Sequence, residues 1–488
     1  MSRADRLALV VDGEEYFLAL RQSIRAAQRE LLLIGWDFDF EIEMLPGESD
    51  ADGNAPDGLP NQVGAFLEAV VEQAPELHVY ILKWNGAVVA APGRLLSTAA
   101  VYVFSHDRIH FALDGHHPFG ACHHQKIIVA DNSFAFCGGI DVTENRWDTS
   151  KHLPDDPPRV AKDGSLLCPW HDATTALTGP VAEALGELAR SRWLRATGEA
   201  LATPALVETI IWPDSLQIDA TKVEVAIART EPPYDGEPLI NEIECLYLDS
   251  IRAARETIYI ESQYLTTKTV CDALMSRLSE KDGPEVIVIN PEAALSDFED
   301  QSMHVLRGRI IQQLQGADHS DKFRIFSPVN SAGDPIYVHA KIMIVDDTIL
   351  LIGSSNLDDR SMGFDTECNV AIYGYADLIK IFREKLLCDH LDVDPEQFRK
   401  VLGHQSSLVK AVSLLNASLG RRLRPIIALQ ESWLGKLLAD SRLMDPRYTQ
   451  SDSSNAGKGI RPRHIAAAGA GIAVGYLAVK AWRHWRVR

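Results

Sequence analysis

The chain has 488 residues, enough for two or three domains. Hydrophobic residues make up 46%, as in ordinary globular proteins, while a net charge of −20 and a pI of about 5.2 exclude a generally basic nucleic-acid-binding surface, though not a local basic cleft. Seven scattered cysteines with no C-x-x-C pair exclude a disulfide framework and a cysteine zinc site, and fit a reducing cytoplasm.

The N-terminal residues through Leu7 lack the apolar core of a secretory signal, and the short run Leu7 to Val11 is followed by Asp12, Glu14 and Glu15. Tyr16 to Gln28 has helical spacing. Glu30 to Trp36 is a short apolar run that predicts a buried strand. Gly47 to Gly64 is a Gly/Pro/Asp/Asn-rich loop, Val63 to Gln73 a helix, and Leu77 to Leu82 a second buried strand. His116, His117 and His123, expected to be loop or scaffold residues, lead into His124-Gln-Lys126-Ile-Ile-Val-Ala-Asp131. Alternation along a strand places His124 and Lys126 on one face and Ile127 and Val129 on the other. A polar turn at Asp131 and a return strand at Phe134 make the segment a hairpin, followed by Gly138-Gly139-Ile-Asp141.

The second half repeats this order. Ser23-Ile-Arg-Ala-Ala recurs as Ser250-Ile-Arg-Ala-Ala within a helix expected over 241–254. Ile258 to Ile260 and Val286 to Ile289 correspond to the two buried strands of the first half. His339-Ala-Lys341-Ile-Met-Ile-Val-Asp346, with Gly353-Ser354-Ser355-Asn356, repeats the hairpin, its Ile342 and Ile344 turned away from His339 and Lys341. The motif histidines are 339 − 124 = 215 positions apart and the helix runs 250 − 23 = 227, which implies an internal duplication joined near 203–217. Helices alternating with buried strands give an α/β fold: two similar sandwich lobes, 1–205 and 206–400, facing across a pseudo-two-fold with both histidines at the seam. A helical extension over 401–450, broken at Pro425, and a linker and tail over 451–488 complete the chain. Within the tail, 465–479 is an uncharged run of 479 − 465 + 1 = 15 residues flanked by Arg, Lys and Trp. It is shorter than the roughly 20 residues of a spanning helix. Its flanks suit attachment to an anionic membrane face; the competing reading is a frayed or docked helix.

An imidazole beside an ammonium group suits phosphate chemistry. Histidine attacks phosphorus or moves a proton near neutral pH, and lysine offsets charge on phosphate oxygens. Two copies provide a nucleophile and a general acid, and the scheme needs no metal and no cofactor. The duplicated H-x-K-x4-D resembles the signature of the phospholipase D superfamily. The resemblance extends to Ile258-Tyr-Ile-Glu-Ser-Gln-Tyr-Leu265 and to Trp170-His-Asp172 with Gly179-Pro180 and Arg192-Trp193, and covers roughly residues 5–395. It implies catalysis by His124, Lys126, His339 and Lys341, with His124 as nucleophile and His339 as acid/base. The pseudo-symmetry of the motifs leaves either order open.

A histidine that attacks through Nε2 needs its Nδ1 proton held, which a carboxylate does. Glu367, 367 − 339 = 28 positions on, is expected to serve His339, and Asp148 in Arg146-Trp-Asp148 is expected to serve His124. Ser354 and Asn356 are expected to donate to phosphate oxygens. Gly139 would let the backbone approach a ligand, and the acidic Asp141 at the equivalent first-half position would bind a polar head group. Asp131 and Asp346 are expected to be structural, bonding their own turns. His171 and Asp172 are candidates for groups that back the site or line its wall.

The leading function is a phospholipase D or phosphatidyltransferase acting on glycerophospholipids. The alternatives are a cardiolipin-synthase-like transferase, a nuclease of the same superfamily, and an inactive lipid-binding scaffold. The expected partners are a phospholipid substrate and a membrane surface, with no nucleic acid. With both lobes in one chain a monomer is expected, either cytoplasmic or held at the inner membrane by its tail.

Overall fold

The two hairpins sit at matching places in one continuous sheet. The computed structural model describes residues 1–86, 106–205, 211–294, 297–416, 419–428 and 445–446. Met1–Pro446 forms one compact unit. The tail over 451–488, with its apolar run, lies outside the described residues.

The first half comprises β1 (Ser2–Val11), α1 (Gly13–Ala26), β2 (Glu30–Gly35), α2 (Val63–Gln73), β3 (His78–Trp84), β4 (Ile109–Asp114), β5 (Ile127–Ala130), β6 (Phe134–Gly138), β7 (Trp170–His171), β8 (Ala173–Thr178) and α3 (Pro180–Thr197). The second comprises β9 (Ala220–Glu231), β10 (Ile240–Asn241), α4 (Glu242–Ala253), β11 (Thr257–Glu261), α5 (Lys268–Leu278), β12 (Glu285–Ile289), α6 (Asp297–Ala317), β13 (Phe323–Val329), β14 (Tyr337–Val338), β15 (Ile342–Val345), β16 (Ile349–Gly353), α7 (Asp359–Gly363), β17 (Glu367–Tyr373) and α8 (Ala376–Leu391). After these come α9 (Pro395–Gln405), α10 (Leu408–Leu415) and β18 (Arg422–Pro425).

The strand order across the sheet is β18, β13, β12, β11, β15, β16, β17, β9, β1, β8, β6, β5, β2, β3, β4. Outward from the antiparallel β9–β1 pair, both directions meet a site-facing strand (β17 or β8) and then the motif hairpin. Beyond each hairpin lie three mutually parallel strands: β11, β12 and β13 on one side, β2, β3 and β4 on the other. The repeat read in the sequence is thus a palindrome in space. Its centre, β1 and β9, is not among the strands expected from the sequence.

Alternation decides which side chain enters which core. Leu32, Ile34, Ile127 and Val129 of the first half, with Tyr259, Ile287, Ile342 and Ile344 of the second, share one buried core. That core is closed by Val181 and Leu185 of α3 and by Ile379 and Leu386 of α8. The opposite strand faces build a separate core in each half, around Leu31, Leu33 and Ile128 in one and Ile258, Ile260 and Met343 in the other. Because both halves own the central core, neither buries its apolar strand face alone. A further expectation is revised at the C-terminal end. Arg422–Pro425, placed in a helical extension from sequence, is an edge strand antiparallel to β13, and Pro425 occupies the edge where a missing N–H is tolerated.

Candidate active site

Two short pairings stitch the halves together where the motif strands begin. β7 runs parallel to β14 through Tyr337 with Trp170 and Val338 with His171, and His123 bridges Thr366. The His339 N–H donates to the His171 carbonyl at 2.7 Å, and the His124 N–H donates to the Thr366 carbonyl at 2.8 Å. Each motif histidine is therefore seated on the residue just before the other half's carboxylate.

This seating crosses the expected pairings. Glu367 serves His124, not His339: both its oxygens lie 3.1 Å from His124 Nδ1. Asp172 serves His339, with Oδ2 at 2.6 Å from Nδ1. The physical reason is the seam itself: His124 is bonded to Thr366 and His339 to His171, so the acid that follows each seating residue falls beside the other half's motif histidine. Asp148 does not approach His124. It is a fully buried loop fastener, accepting from His152 Nδ1 at 2.9 Å, Arg159 Nη1 at 2.8 Å and the Trp170 N–H at 2.7 Å. A signal for Asp172 was present in the sequence: Asp172 and Glu367 each stand directly at the head of an apolar strand that follows a motif hairpin.

The rings of His124 and His339 stand edge to face with centroids 6.5 Å apart. Lys126 Nζ donates to the His124 carbonyl at 2.9 Å and lies 3.2 Å from Asp141. Lys341 Nζ donates to the His339 carbonyl. Trp170 stacks on Tyr337 at 4.7 Å and lies 5.2 Å from the His339 ring, with the Arg146 guanidinium 4.2 Å from the Trp170 ring centroid.

Several expected ligand contacts are otherwise engaged. Ser354 gives its hydroxyl to Glu367 Oε2 and its carbonyl to His124 Nδ1 at 3.0 Å; Ser361 supports Glu367 Oε1 at 2.7 Å. Asp141 pairs with Lys126 through Oδ2, while its buried Oδ1 has no hydrogen-bond partner among the described residues. Gly139 makes room for an internal carboxylate, since a Cβ there would lie 2.2 Å from Asp172 Oδ1. Asn356 is buried at the site, and its Oδ1 has no hydrogen-bond partner among the described residues. Asp131 and Asp346 do support the fold, by a longer reach than their own turns. Asp131 accepts the N–H groups of Gln28, Arg29 and Glu30 at 2.7–2.9 Å, and Asp346 those of Arg255, Glu256 and Thr257 at 2.7–2.8 Å. Each pins its hairpin to the start of the neighbouring strand. His123 sits against Asp114 at 3.1 Å, and His117 accepts from Trp84 Nε1 at 3.1 Å.

Burial sets the charge states. It pushes both motif imidazoles well below the ordinary histidine range, aided by Lys126 and Lys341 for His124 and by Lys341 and Arg146 for His339. Burial raises Glu367 to about 8 against the opposing Ser354 hydrogen bond, and raises Asp172. Burial lowers Lys341 to about 7, with Asp172 opposing. Burial thus favours neutral rings, and a neutral imidazole with Nε2 unprotonated is the form that attacks phosphorus. An anionic phosphate would restore charge to Lys341 and to whichever ring takes up a proton. Among the described residues, Asp12 with His152 and His171, and His171 with Glu261 and His390, come close enough to share an ion. No step of the chemistry below is assigned to one.

Two imidazoles from distant parts of a doubled α/β chain, each backed by a buried carboxylate and accompanied by a lysine, define a phosphoryl-transfer type of site. The family described as cardiolipin synthase, PLD-like domain, matches residues 247–387. Phospholipase D1 of Saccharomyces cerevisiae is 25% identical over 80% of this chain and 29% of its own length. Phospholipase D alpha 1 of Oryza sativa is 24% identical over 52% of this chain and 45% of its own. The phosphatidylserine synthase structure of Haemophilus influenzae aligns with a TM-score of 0.54 at 13% identity, covering 85% of this chain and 96% of that one. The chain thus spans less than half the length of these curated relatives, and the last likeness speaks to fold alone. The motifs, the matched domain and these relatives support a place for the chain in the phospholipase D superfamily. No helix among the described residues is long and apolar enough to cross a membrane.

Proposed function

We propose that the chain is a phospholipase D-type phosphodiesterase that cleaves the head-group phosphodiester of glycerophospholipids through a phosphohistidine. The carrying observation is the pair of rings 6.5 Å apart, each held at Nδ1 by the other half's carboxylate. In the first step His124 Nε2 attacks phosphorus. Glu367 and the Ser354 carbonyl keep the proton on Nδ1. His339 protonates the leaving alcohol, and Asp172 stabilises the ring in its charged form. Lys126 and Lys341 neutralise the phosphate oxygens as charge builds on them. In the second step His339 takes a proton from water or an acceptor alcohol, which displaces His124 from phosphorus. The curated phospholipase D relatives support the substrate class.

Transfer to an alcohol is the second reading, favoured by the match to a domain described for cardiolipin synthase. One assay separates the possibilities. Labelled phosphatidylcholine, phosphatidylethanolamine and phosphatidylglycerol are incubated with the protein, with and without a primary alcohol, beside plasmid DNA. Phosphatidic acid is expected from water, and an exchanged lipid when alcohol is present. Both should be lost by several orders of magnitude in His124→Ala and His339→Ala. Nicked DNA with untouched lipid would replace this reading with a nuclease.

A further inference from the structure

The two halves of the site differ in the residue that seats the opposite histidine. At the His124 side this is Thr366, a neutral residue whose hydroxyl lies 3.0 Å from His123 Nδ1. At the His339 side it is His171, whose ring is buried between two carboxylates. Its Nδ1 is 2.9 Å from Asp12 Oδ1, and its Nε2 is 2.9 Å from Glu261 Oε2. Asp12 belongs to the first half of the chain and Glu261 to the second. Glu261 is in turn held by His390 Nε2 at 2.9 Å and by the Tyr259 hydroxyl. Asp12 is held on its other oxygen by His152 at 3.5 Å.

The Asp172 side chain accepts the Ala173 N–H at 2.8 Å, and its backbone is fixed through the partners of this ring. Asp172 follows His171 directly. Its N–H donates to Asp12 Oδ1 at 3.2 Å, and its carbonyl accepts the Asp12 N–H at 2.8 Å. The His171 carbonyl accepts both the His339 N–H, at 2.7 Å, and the Ala340 N–H, at 3.2 Å. Asp12 is held at φ +67°, ψ 164°, a backbone conformation natural to glycine. Such strain persists only where the surrounding contacts impose it.

We propose that His171, clamped between Asp12 and Glu261, is a positioning residue for the general acid: it locks Asp172 against His339 across the seam of the two halves. The support comes from Asp12 directly after β1, from Glu261 at the end of β11 and from His390 of helix α8. Burial alone would discharge the His171 ring, but the two carboxylates outweigh it and hold the pKa well above the ordinary histidine value. A charged ring attracts both acids at once, and so fixes the distance between β1, which fastens Asp172, and β11, which pairs with the His339 hairpin. On the His124 side the seating residue, Thr366, carries no charge. This matches a division of labour in which His339 cycles a proton and depends most on its orientation.

The inference rests on the assignment of His339 as the acid, and the test keeps the two separable. Glu261→Gln removes one clamping charge with little change of shape. It is measured on phosphatidylcholine and on a phosphodiester whose leaving group departs as a stable phenolate and needs no proton. The expected result is a tenfold or greater fall in kcat with phosphatidylcholine at unchanged KM, and a change of less than threefold in the first-turnover burst rate of phenolate from the activated ester, the step that needs no proton from His339. His339→Asn is the control, expected to lose phosphatidylcholine turnover yet retain a first-turnover burst of phenolate. Loss of that burst would refute the acid assignment itself. With the control as expected, equal losses on both substrates, or no loss on either, would overturn the role of the clamp alone. Should Glu261→Gln fail to fold, His390→Phe withdraws one donor from Glu261 and is expected to give a smaller loss with the same substrate dependence; a loss without that dependence would again overturn it.

Discussion

The crossed pairing makes the two carboxylates unequal, and Asp172→Asn is the sharpest way to see it. His124 Nδ1 has two kinds of acceptor, Glu367 at 3.1 Å and the Ser354 carbonyl at 3.0 Å. His339 Nδ1 has Asp172 at 2.6 Å and, among the described residues, no backbone carbonyl beside it. Removing one charge from a fully buried ion pair costs about 3–5 kcal/mol. If that pair forms as His339 shuttles its proton, the cost falls on the barrier, and at about 1.4 kcal/mol per decade kcat should drop by roughly two to four decades. An asparagine amide facing Nδ1 would also favour the tautomer that carries its proton on Nε2, blocking the base role in the second step. Glu367→Gln keeps the Ser354 carbonyl in place and should cost about one to two decades by the same arithmetic. The assay is head-group release from phosphatidylcholine under single-turnover conditions, with circular dichroism and thermal melting to establish the fold. An Asp172→Asn variant that is folded and within tenfold of wild type would refute the reasoning, as would a Glu367→Gln variant that is the worse of the two.

Lys341 titrates near 7, lowered from the usual lysine value, so its charge is present below that pH and lost as pH rises through it. The kcat/KM profile should therefore fall on its alkaline side from about 7, and Lys341→Arg, which stays charged, should move that limb to higher pH even where it lowers the maximum. An unmoved limb would assign it to another group. Asp131→Ala leaves three backbone N–H groups without this acceptor; those of the exposed Gln28 and Arg29 can turn to water, and the buried one of Glu30 costs about 1–3 kcal/mol, the destabilisation expected in denaturant melts. Asp346→Ala, at a half-buried position, should cost less, and any folded fraction of either variant should keep wild-type turnover per molecule.

Much of this architecture is legible in the sequence because it is local. The motif strands announce themselves by alternation, and the repeat by Ser23-Ile-Arg-Ala-Ala and its echo at Ser250. What stays hidden depends on how the two halves meet. Glu367 is recognisable as a carboxylate in the second half, but a count of positions from His339 cannot say that His124 is seated on Thr366 and so receives the acid that follows it. Asp148 has the right chemistry and is used up by His152, Arg159 and Trp170, contacts that only the folded loop defines. Ser354 and Gly139 are near the site for reasons of support: one holds Glu367, and the other leaves space for Asp172. Asp131 and Asp346 illustrate the same limit on a smaller scale. Their structural character follows from position, but their partners lie about ninety to a hundred residues upstream.

The most direct test of the account is the stereochemical course at phosphorus. A phospholipid made chiral at phosphorus by isotopic labelling is transferred to a simple alcohol, and the product configuration is read by phosphorus NMR. Two successive in-line displacements, first by His124 and then by the alcohol, predict retention. Inversion would mean a single displacement with no covalent histidine intermediate, and would contradict the account at its centre.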